Sequence, residues 1–185
     1  MVTVTSRILR PGFSRFEIII TKTELLITHN PDTITVYTDG SSRGNPGPGG
    51  YGVVLIWGRI KKELSKGYRR TTNNRMELMA VIAALEALKK NNQHLLVYSD
   101  SNYVVKAIEE GWLKNWIRTD FKGGKKNKDL WLRFHELASN HHLKFKWVKG
   151  HADNIYNIRC DLLATEAADG KHLFIDEGYE LEIRK

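Results

Sequence analysis

The chain has 185 residues, 41% of them hydrophobic, with a formal net charge of +8. This length allows a full core, and the absence of any run of eighteen apolar residues excludes a membrane-spanning helix. A single cysteine, Cys160, excludes an internal disulfide and a cysteine-rich zinc site, while the positive charge favours a polyanionic partner such as nucleic acid.

Residues 1–31 differ in composition from the rest and are predicted to form an extension in front of one domain over 32–185. Three arginines stand among serines and threonines, and no acidic residue precedes Glu17. An ordinary extension is the favoured interpretation, with an organellar transit peptide as the alternative. The stretch FEIIITKTELLITHN either adds a strand or stays mobile, and the sequence does not decide between the two.

The remaining elements alternate in a way that predicts an α/β fold. Strands are predicted over 33–39, 50–57, 61–70, 94–100 and 143–148, and helices over 73–90, 101–111, 128–140 and about 155–168. Three closely spaced strands followed by alternating strands and helices indicate a mixed sheet, antiparallel at one side and parallel elsewhere, covered by helices.

The glycine-rich stretch GSSRGNPGPGGYG contains a formal dinucleotide-binding match at Gly47, Gly49 and Gly52. That motif works only where a helix N-terminus follows to receive a pyrophosphate. Here the following residues, YGVVLIW, are apolar and strand-like. We therefore reject dinucleotide binding.

Two strand ends are near copies of each other. TVYTDGS and LVYSDSN place Asp39 and Asp100 at the carboxyl ends of two apolar strands. If the strands are neighbours, these ends lie about 5 Å apart. Two carboxylates that close repel, so one is protonated or a cation lies between them. The alternative is two unrelated aspartates that begin turns, which Asp often does.

Two helices add further carboxylates. Glu77 shares a helical face with Val81, Ala84 and Leu88, and this face is predicted to point inward. The alternative is a solvated Glu near a helix start, where the dipole favours it. Asp161 begins a similar line of helix residues that is predicted to face the sheet. Four converging carboxylates without cysteine or clustered histidine indicate Mg²⁺ or Mn²⁺, and two such ions about 4 Å apart support phosphodiester cleavage.

His151 is the histidine predicted to take part in chemistry. It follows a strand through Gly150 in WVKGHADN, and Asp161 comes ten residues later. An imidazole that titrates near neutrality can move the proton of a water or of a leaving group. The other six histidines are interpreted as incidental.

Five stretches occur together in the order and spacing of a known family: TDGSSRGNPGPGGYG, GYRRTTNNRMELMA, YSDSNYV, NKDLW, and WVKGHADN through RCDLLA. On these motifs, over roughly residues 33–180, the chain closely resembles the bacterial type 1 ribonuclease H class, ribonuclease HI. The resemblance implies a mixed five-stranded sheet with helices on both faces. It also implies hydrolysis of the RNA strand of RNA·DNA hybrids by two Mg²⁺ ions, with Mn²⁺ as a substitute, giving 5′-phosphate and 3′-hydroxyl ends.

The resemblance also assigns roles to individual residues. It implies metal ligands at Asp39, Glu77, Asp100 and Asp161, a mobile catalytic histidine at His151, minor-groove contacts from Asn45 and Asn73, backbone contacts near the RNA from Gly40 and Ser41, and a DNA-strand phosphate pocket at Thr72 and Asn127. Asn102 replaces a glutamine common in relatives, with shorter reach and the same amide chemistry. Ile158 stands where relatives often carry an acid, which puts an accessory carboxylate role there in doubt.

The basic stretch over 112–128 matches the substrate-binding handle of the family. Lys114, Arg118 and Lys122 recur every four residues and are predicted to share one helical face, while Trp112 and Trp116 pack on the other. The alternative is a solvated charged face over buried tryptophans, and the same helix can do both.

Two other functions remain as alternatives. One is a module of this fold that binds hybrids or double-stranded RNA without cutting, which the complete set of carboxylates disfavours. The other is a different nuclease on this fold, such as a transposase, a junction resolvase or a reverse-transcriptase domain. We expect a cytoplasmic monomer with no membrane association and no obligate protein partner.

Overall fold

The computed structural model describes residues 32–150 and 154–184. Its strands are β1 (Thr33–Ser42), β2 (Gly47–Trp57), β3 (Ile60–Thr71), β4 (His94–Ser99) and β5 (His142–Trp147), and its helices are α1 (Asn73–Glu86), α2 (Asn102–Glu109), α3 (Trp112–Arg118), α4 (Lys128–Ala138), α5 (Ile155–Ala168) and α6 (Glu177–Glu182). The strand order is β3-β2-β1-β4-β5, with β1, β2 and β3 antiparallel and β1, β4 and β5 parallel. The predicted mixed five-stranded sheet is confirmed.

Helices cover both faces of the sheet because successive residues of β1 point to opposite sides. Val36 belongs to the core cluster that contains α1 and α4 residues such as Met76 and Trp131. Tyr37 belongs to a second cluster with Cys160 and other α5 residues. Helix α1 packs on β1 and β2, whereas α5 packs on β1, β2 and β3.

Several predicted boundaries are wrong. Helix α1 ends at Glu86 instead of residue 90, and β1 continues past Asp39 to Ser42 because β2 pairs with it there. Helix α6 was not predicted. No helix in the described part of the chain has the length and apolar character needed to cross a membrane.

The predicted single helical face of the basic stretch is also wrong. Helix α3 ends at Arg118, and both Asp120 and Phe121 adopt left-handed backbone angles, φ 49° and 57°. This reversal buries the Phe121 side chain in the main core. Lys122 therefore lies beyond the helix, away from the line of Lys114 and Arg118.

Candidate active site

Asp39 and Asp100 meet because β1 and β4 run parallel and in register. The last pair of this ladder is Thr38 with Ser99, and each aspartate follows its strand's member of that pair. Asp39 is buried and Asp100 is half-buried. The two strands are thus neighbours, which is the condition under which their ends were expected to lie about 5 Å apart.

Glu77 reaches the two aspartates from the first turns of α1. Its side chain is buried, as the helical pattern predicted, and Val81 and Ala84 on the same face are buried below it. The approach requires glycine at position 40, since a β-carbon there would stand 2.2 Å from the Glu77 backbone nitrogen. Gly40 was predicted only as a substrate contact. Because it has no side chain, it also allows α1 to pack close to β1 at the site.

The three carboxylates fit a hard divalent cation. One oxygen each from Asp39, Glu77 and Asp100 lies within 4.8 Å of the others. Glu77 Oε1 accepts a hydrogen bond from Asn73 Nδ2 at 3.4 Å, whereas the buried Oε2 has no hydrogen-bond partner. A buried carboxylate oxygen without a donor is costly, and an all-oxygen donor set suits Mg²⁺ or Mn²⁺.

Burial and mutual repulsion disfavour the charged forms of these groups. Burial, then the charges of Asp100 and Asp161, raise the pKa of Asp39 to about 7. Burial together with Asp39 and Asp100 raises the pKa of Glu77 well above its ordinary value. A cation bound among these groups would favour their charged forms.

Asp161 approaches the cluster from α5, on the opposite face of the sheet. It is half-buried and lies outside the group of three within 4.8 Å, but its charge contributes to the raised pKa of Asp39. Gly52 allows the close packing, because a β-carbon there would stand 2.1 Å from the Cys160 carbonyl oxygen. Ile158, one turn before Asp161, is 50% exposed.

His151 lies outside the described residues, but the chain leading to it is beside the site. A β-carbon on Gly150 would stand 2.7 Å from Asp100 Oδ2. Trp147 Nε1 donates to the Asp100 carbonyl oxygen at 3.0 Å, which ties the end of β5 to the same residue. Gly150, the residue before His151, therefore lies against Asp100.

Several predicted substrate residues form a rim around the carboxylate cluster, and we use this name for Asn45, Asn73, Asn102 and Ser41. Asn73 donates its backbone N–H to Asn45 Oδ1 at 3.2 Å and its side-chain amide to Glu77. Asn102 is the exposed first residue of α2, two residues after Asp100. Ser41 lies half-buried near the end of β1. The Gly40 N–H donates to Asp39 Oδ1 at 2.7 Å, so it already has a partner.

Thr72 and Asn127, which the family resemblance assigns to a phosphate pocket, line one groove. The groove has a volume of about 650 Å³, and its other lining residues include Asn45, Trp112, Trp116, Lys125, Lys126 and, from α6, Glu182 and Ile183. Asn127 is buried, donates to the Tyr103 hydroxyl at 3.1 Å and accepts from Arg75 Nη1 at 3.5 Å. Sequence reasoning missed both Arg75 and the α6 wall.

Helix α3 packs on the core while presenting exposed cations. Trp116 stacks on Tyr103 and meets Trp131 edge-on, so it packs against the core as predicted. Trp112 contacts Trp116 but stays 39% exposed, so it packs less completely than predicted. Lys114 and Arg118 are exposed on this helix.

Comparison with known proteins places this site in a family, because the family model described as RNase H matches residues 31–169. The chain belongs to the ribonuclease H family. Ribonuclease H from Syntrophus aciditrophicus (strain SB) is 52% identical over 150 residues, covering 79% of this chain and 86% of the relative. Ribonuclease H from Desulforamulus reducens is 53% identical over 152 residues, covering 80% of this chain and 94% of the relative.

Solved ribonuclease H structures share the fold. LC9-RNase H1, a type 1 RNase H with the type 2 active-site motif, superposes with a TM-score of 0.70 at 29% identity, covering 83% of this chain and 82% of that one. LC11-RNase H1 in complex with RNA/DNA hybrid superposes with a TM-score of 0.57 at 29% identity, covering 74% of this chain and 96% of that one. The chain is thus a ribonuclease H of type 1, an endoribonuclease that hydrolyses phosphodiesters.

Proposed function

We propose that this ribonuclease H cuts the RNA strand of RNA·DNA hybrids at the carboxylate cluster, leaving 5′-phosphate and 3′-hydroxyl ends. The observation that carries the proposal is the convergence of Asp39, Glu77 and Asp100 within 4.8 Å around a buried, unpartnered Glu77 oxygen. Asp161 completes the proposed ligand set. The hybrid as substrate is supported by LC11-RNase H1, which was crystallised with RNA/DNA hybrid.

The four carboxylates are proposed to hold two Mg²⁺ ions, for which Mn²⁺ would substitute. When bound, such ions lower the pKa of water and stabilise the charge that develops on the leaving oxygen. His151 is proposed to take or give a proton at the water or the leaving oxygen. Its proposed place beside the site is supported by Gly150, which lies against Asp100.

Substrate selection is proposed to depend on the rim and the groove. Asn45, Asn73 and Asn102 would hydrogen-bond the minor groove, with Gly40 and Ser41 beside the RNA backbone. Thr72 and Asn127 would hold a phosphate of the DNA strand, and Lys114, Arg118 and Lys122 would contact further phosphates. Glu77 would also accept from a ribose hydroxyl, which only the RNA strand carries.

The non-cutting alternative is disfavoured by the cost of the cluster. A protein that only binds nucleic acid gains nothing from a cluster of buried and half-buried carboxylates, one with a pKa of about 7, at a surface that phosphates approach. The monomeric state and the cytoplasmic location stay predictions from the sequence. The cytoplasmic location is supported only by the single cysteine of the sequence, which is buried.

The proposal is tested by incubating labelled RNA·DNA hybrid, RNA duplex and DNA duplex with the purified chain in Mg²⁺ or in EDTA. We expect cleavage of the RNA in the hybrid alone, in Mg²⁺ alone, with 5′-phosphate ends identified by mass spectrometry. Cleavage of DNA duplex at a similar rate would favour the transposase or resolvase alternative. Hybrid binding without cleavage in Mg²⁺ or Mn²⁺ would favour the binding module.

A further inference from the structure

An exposed ion pair joins the loop after β1 to the end of α5. Arg43 Nε donates to Asp169 Oδ1 at 2.8 Å, and Arg43 Nη2 donates to Asp169 Oδ2 at 2.5 Å. The two side chains are 49% and 57% exposed. Asp169 is the residue that caps the C-terminal end of α5. The helix dipole disfavours a carboxylate at that end, so Arg43 offsets a charge that the helix itself does not stabilise.

The ion pair lies close to the carboxylate cluster but outside it. Arg43 follows Asp39 by four residues, about 13 Å along an extended strand. Asp169 follows Asp161 by eight residues, about 12 Å along a helix. Hydrogen bonding to Asp169 and its charge, and then the charge of Asp161, raise the pKa of Arg43. The guanidinium is therefore no part of the proposed ligand set, although it lies within the electrostatic reach of that set.

The loop that carries Arg43 has a closed conformation beside the rim. The Arg43 backbone N–H donates to the Pro48 carbonyl oxygen at 2.6 Å. A β-carbon on Gly47 would stand 2.0 Å from the Arg43 carbonyl oxygen, so the closed loop requires glycine there. Ser41 is two residues before Arg43, and Asn45 is two residues after it. Arg43 thus stands between two residues of the rim.

The ion pair leaves hydrogen-bond donors of Arg43 unused. An arginine has five N–H donors, and Asp169 accepts one from Nε and one from Nη2. Nη1 makes no hydrogen bond to any residue within 32–150 and 154–184. A guanidinium held by a carboxylate on one edge is oriented before a ligand arrives, and its Nη1–Nη2 edge suits two oxygens of a phosphate.

We propose that Arg43 binds a phosphate of the RNA strand of the hybrid and that Asp169 orients it for this contact. The inference rests on the proposed function, which supplies the hybrid. The separation from the carboxylates spans several nucleotides at an axial rise of about 3.4 Å per phosphate, so the contacted phosphate is not the one being cut. The RNA strand is favoured because the DNA-strand pocket is proposed at Thr72 and Asn127, at the starts of α1 and α4.

The test measures the affinity of the full chain for labelled RNA·DNA hybrid by fluorescence anisotropy in Ca²⁺, over a range of salt concentrations. Arg43→Gln should weaken binding by about tenfold at low salt and lower the slope of log affinity against log salt by about 0.9. Asp169→Asn should leave the slope unchanged, because the charge of Arg43 remains. Circular dichroism should show both variants folded, since an exposed ion pair contributes little to stability.

Arg133→Gln is the matched control. Arg133 forms an ion pair with Glu86, has a similar exposure of 52%, and does not line the groove of Thr72 and Asn127. The variant therefore removes the same charge at another place and should lower the slope much less. Equal slopes for Arg43→Gln and Arg133→Gln, or an equal fall in Asp169→Asn, would overturn the proposal, and so would an unchanged slope in Arg43→Gln.

Hybrids with one uncharged methylphosphonate, placed at successive positions of either strand, locate the phosphate. With Mg²⁺ and the wild type, the modification at one RNA position should suppress cleavage at a bond a fixed number of nucleotides away, and Arg43→Gln should lose this suppression. Loss of suppression at a DNA position alone would overturn the assignment to RNA. If the chain cut no hybrid, the proposed function would fail, and the affinities in Ca²⁺ would still test Arg43.

Discussion

Arg75 and Asp176 form a two-pronged ion pair, Nε to Oδ2 and Nη2 to Oδ1, each 2.7 Å, in which both side chains are only 1% exposed. Arg75 also donates to both oxygens of Asp129, at 2.9 and 2.7 Å. Although burial lowers it, these hydrogen bonds hold the pKa of the Arg75 guanidinium above its ordinary value. The pair joins α1, two residues before Glu77, to the segment that precedes α6.

Replacing Asp176 by Asn should therefore destabilise the chain strongly. Removing one partner of a buried ion pair typically costs about 3 to 5 kcal/mol, because the remaining charge loses its compensation. The measurement is the free energy of unfolding in urea. Asp129→Asn is the matched control and should cost less, since the Asp129 side chain is 42% exposed. Equal losses for the two variants would contradict this ranking.

Gly40→Ala should reduce both stability and activity. The added methyl group would stand 2.2 Å from the Glu77 backbone nitrogen and 2.4 Å from the Met76 carbonyl carbon, so α1 must move. Overpacking of this kind costs about 1 to 3 kcal/mol, and Glu77 moves with the helix. Urea unfolding and hybrid cleavage in Mg²⁺ measure the two effects.

The control for this change is Gly58→Asn in the β2–β3 turn. Nothing lies within 4 Å of a β-carbon at Gly58, and its φ of +57° is one that Asn adopts readily. Wild-type activity in Gly40→Ala would show that the close contact does not position Glu77.

Without metal, the stability of the chain should fall as pH rises. The pKa of Asp39 is raised to about 7 in the folded state, from an ordinary 3.8. Between these values the folded state binds more protons than the unfolded state, so raising the pH favours unfolding, by up to about 4 kcal/mol. Unfolding in EDTA across this pH range should show the fall.

Asp39→Asn isolates this effect, since it keeps the size and removes the charge. The variant should be at least as stable as the wild type at pH 8 in EDTA and should have almost no hydrolytic activity in Mg²⁺. Between pH 4 and 7 it should lose the part of the pH dependence that Asp39 causes and keep the part caused by Glu77, whose pKa burial also raises. Added Mg²⁺ should stabilise the wild type more than the variant. An identical pH profile for both proteins would contradict the assigned origin of the raised pKa.

The exposed cations of the handle should set the salt dependence of binding. Replacing Lys114, Arg118 and Lys122 together by Ala should lower the slope of log affinity against log salt by about 0.9 for each lost phosphate contact, about 2 to 3 in all. We expect a higher KM and a nearly unchanged kcat. Fluorescence anisotropy with labelled hybrid in Ca²⁺ measures the slope.

A charge-matched triple variant is the control. Lys144, Lys146 and Lys171 are exposed and do not line the groove, so replacing them by Ala removes the same net charge at other places. This variant should lower the slope much less. Equal slopes for the two triple variants would mean that net charge, and not the handle, governs binding.

The sequence predicted the parts of the site that depend on local pattern. Asp39 and Asp100 end matching motifs, and parallel pairing brings such ends together wherever two strands are neighbours. Glu77 was predicted to point inward by helical periodicity. The left-handed backbone at Asp120 and Phe121, which breaks the basic stretch, was not predicted, because a bulky residue such as Phe rarely adopts that conformation.

Long-range partners were beyond the reach of sequence reasoning. Arg75 lies in helix α1, and its partners Asp129 and Asp176 are 54 and 101 residues away.

The measurement that tests the central claim most directly uses one RNA·DNA hybrid whose RNA strand carries an internal run of 2′-deoxy sugars. Asn45, Asn73, Asn102 and Glu77 are proposed to read the ribose 2′-hydroxyl in the minor groove, so selectivity should depend on that group. With Mg²⁺, we predict cleavage in the flanking RNA and none inside the run, with little dependence on base sequence. Cleavage inside the run at the rate seen in the flanking RNA would contradict the account, because ribose would then not be read.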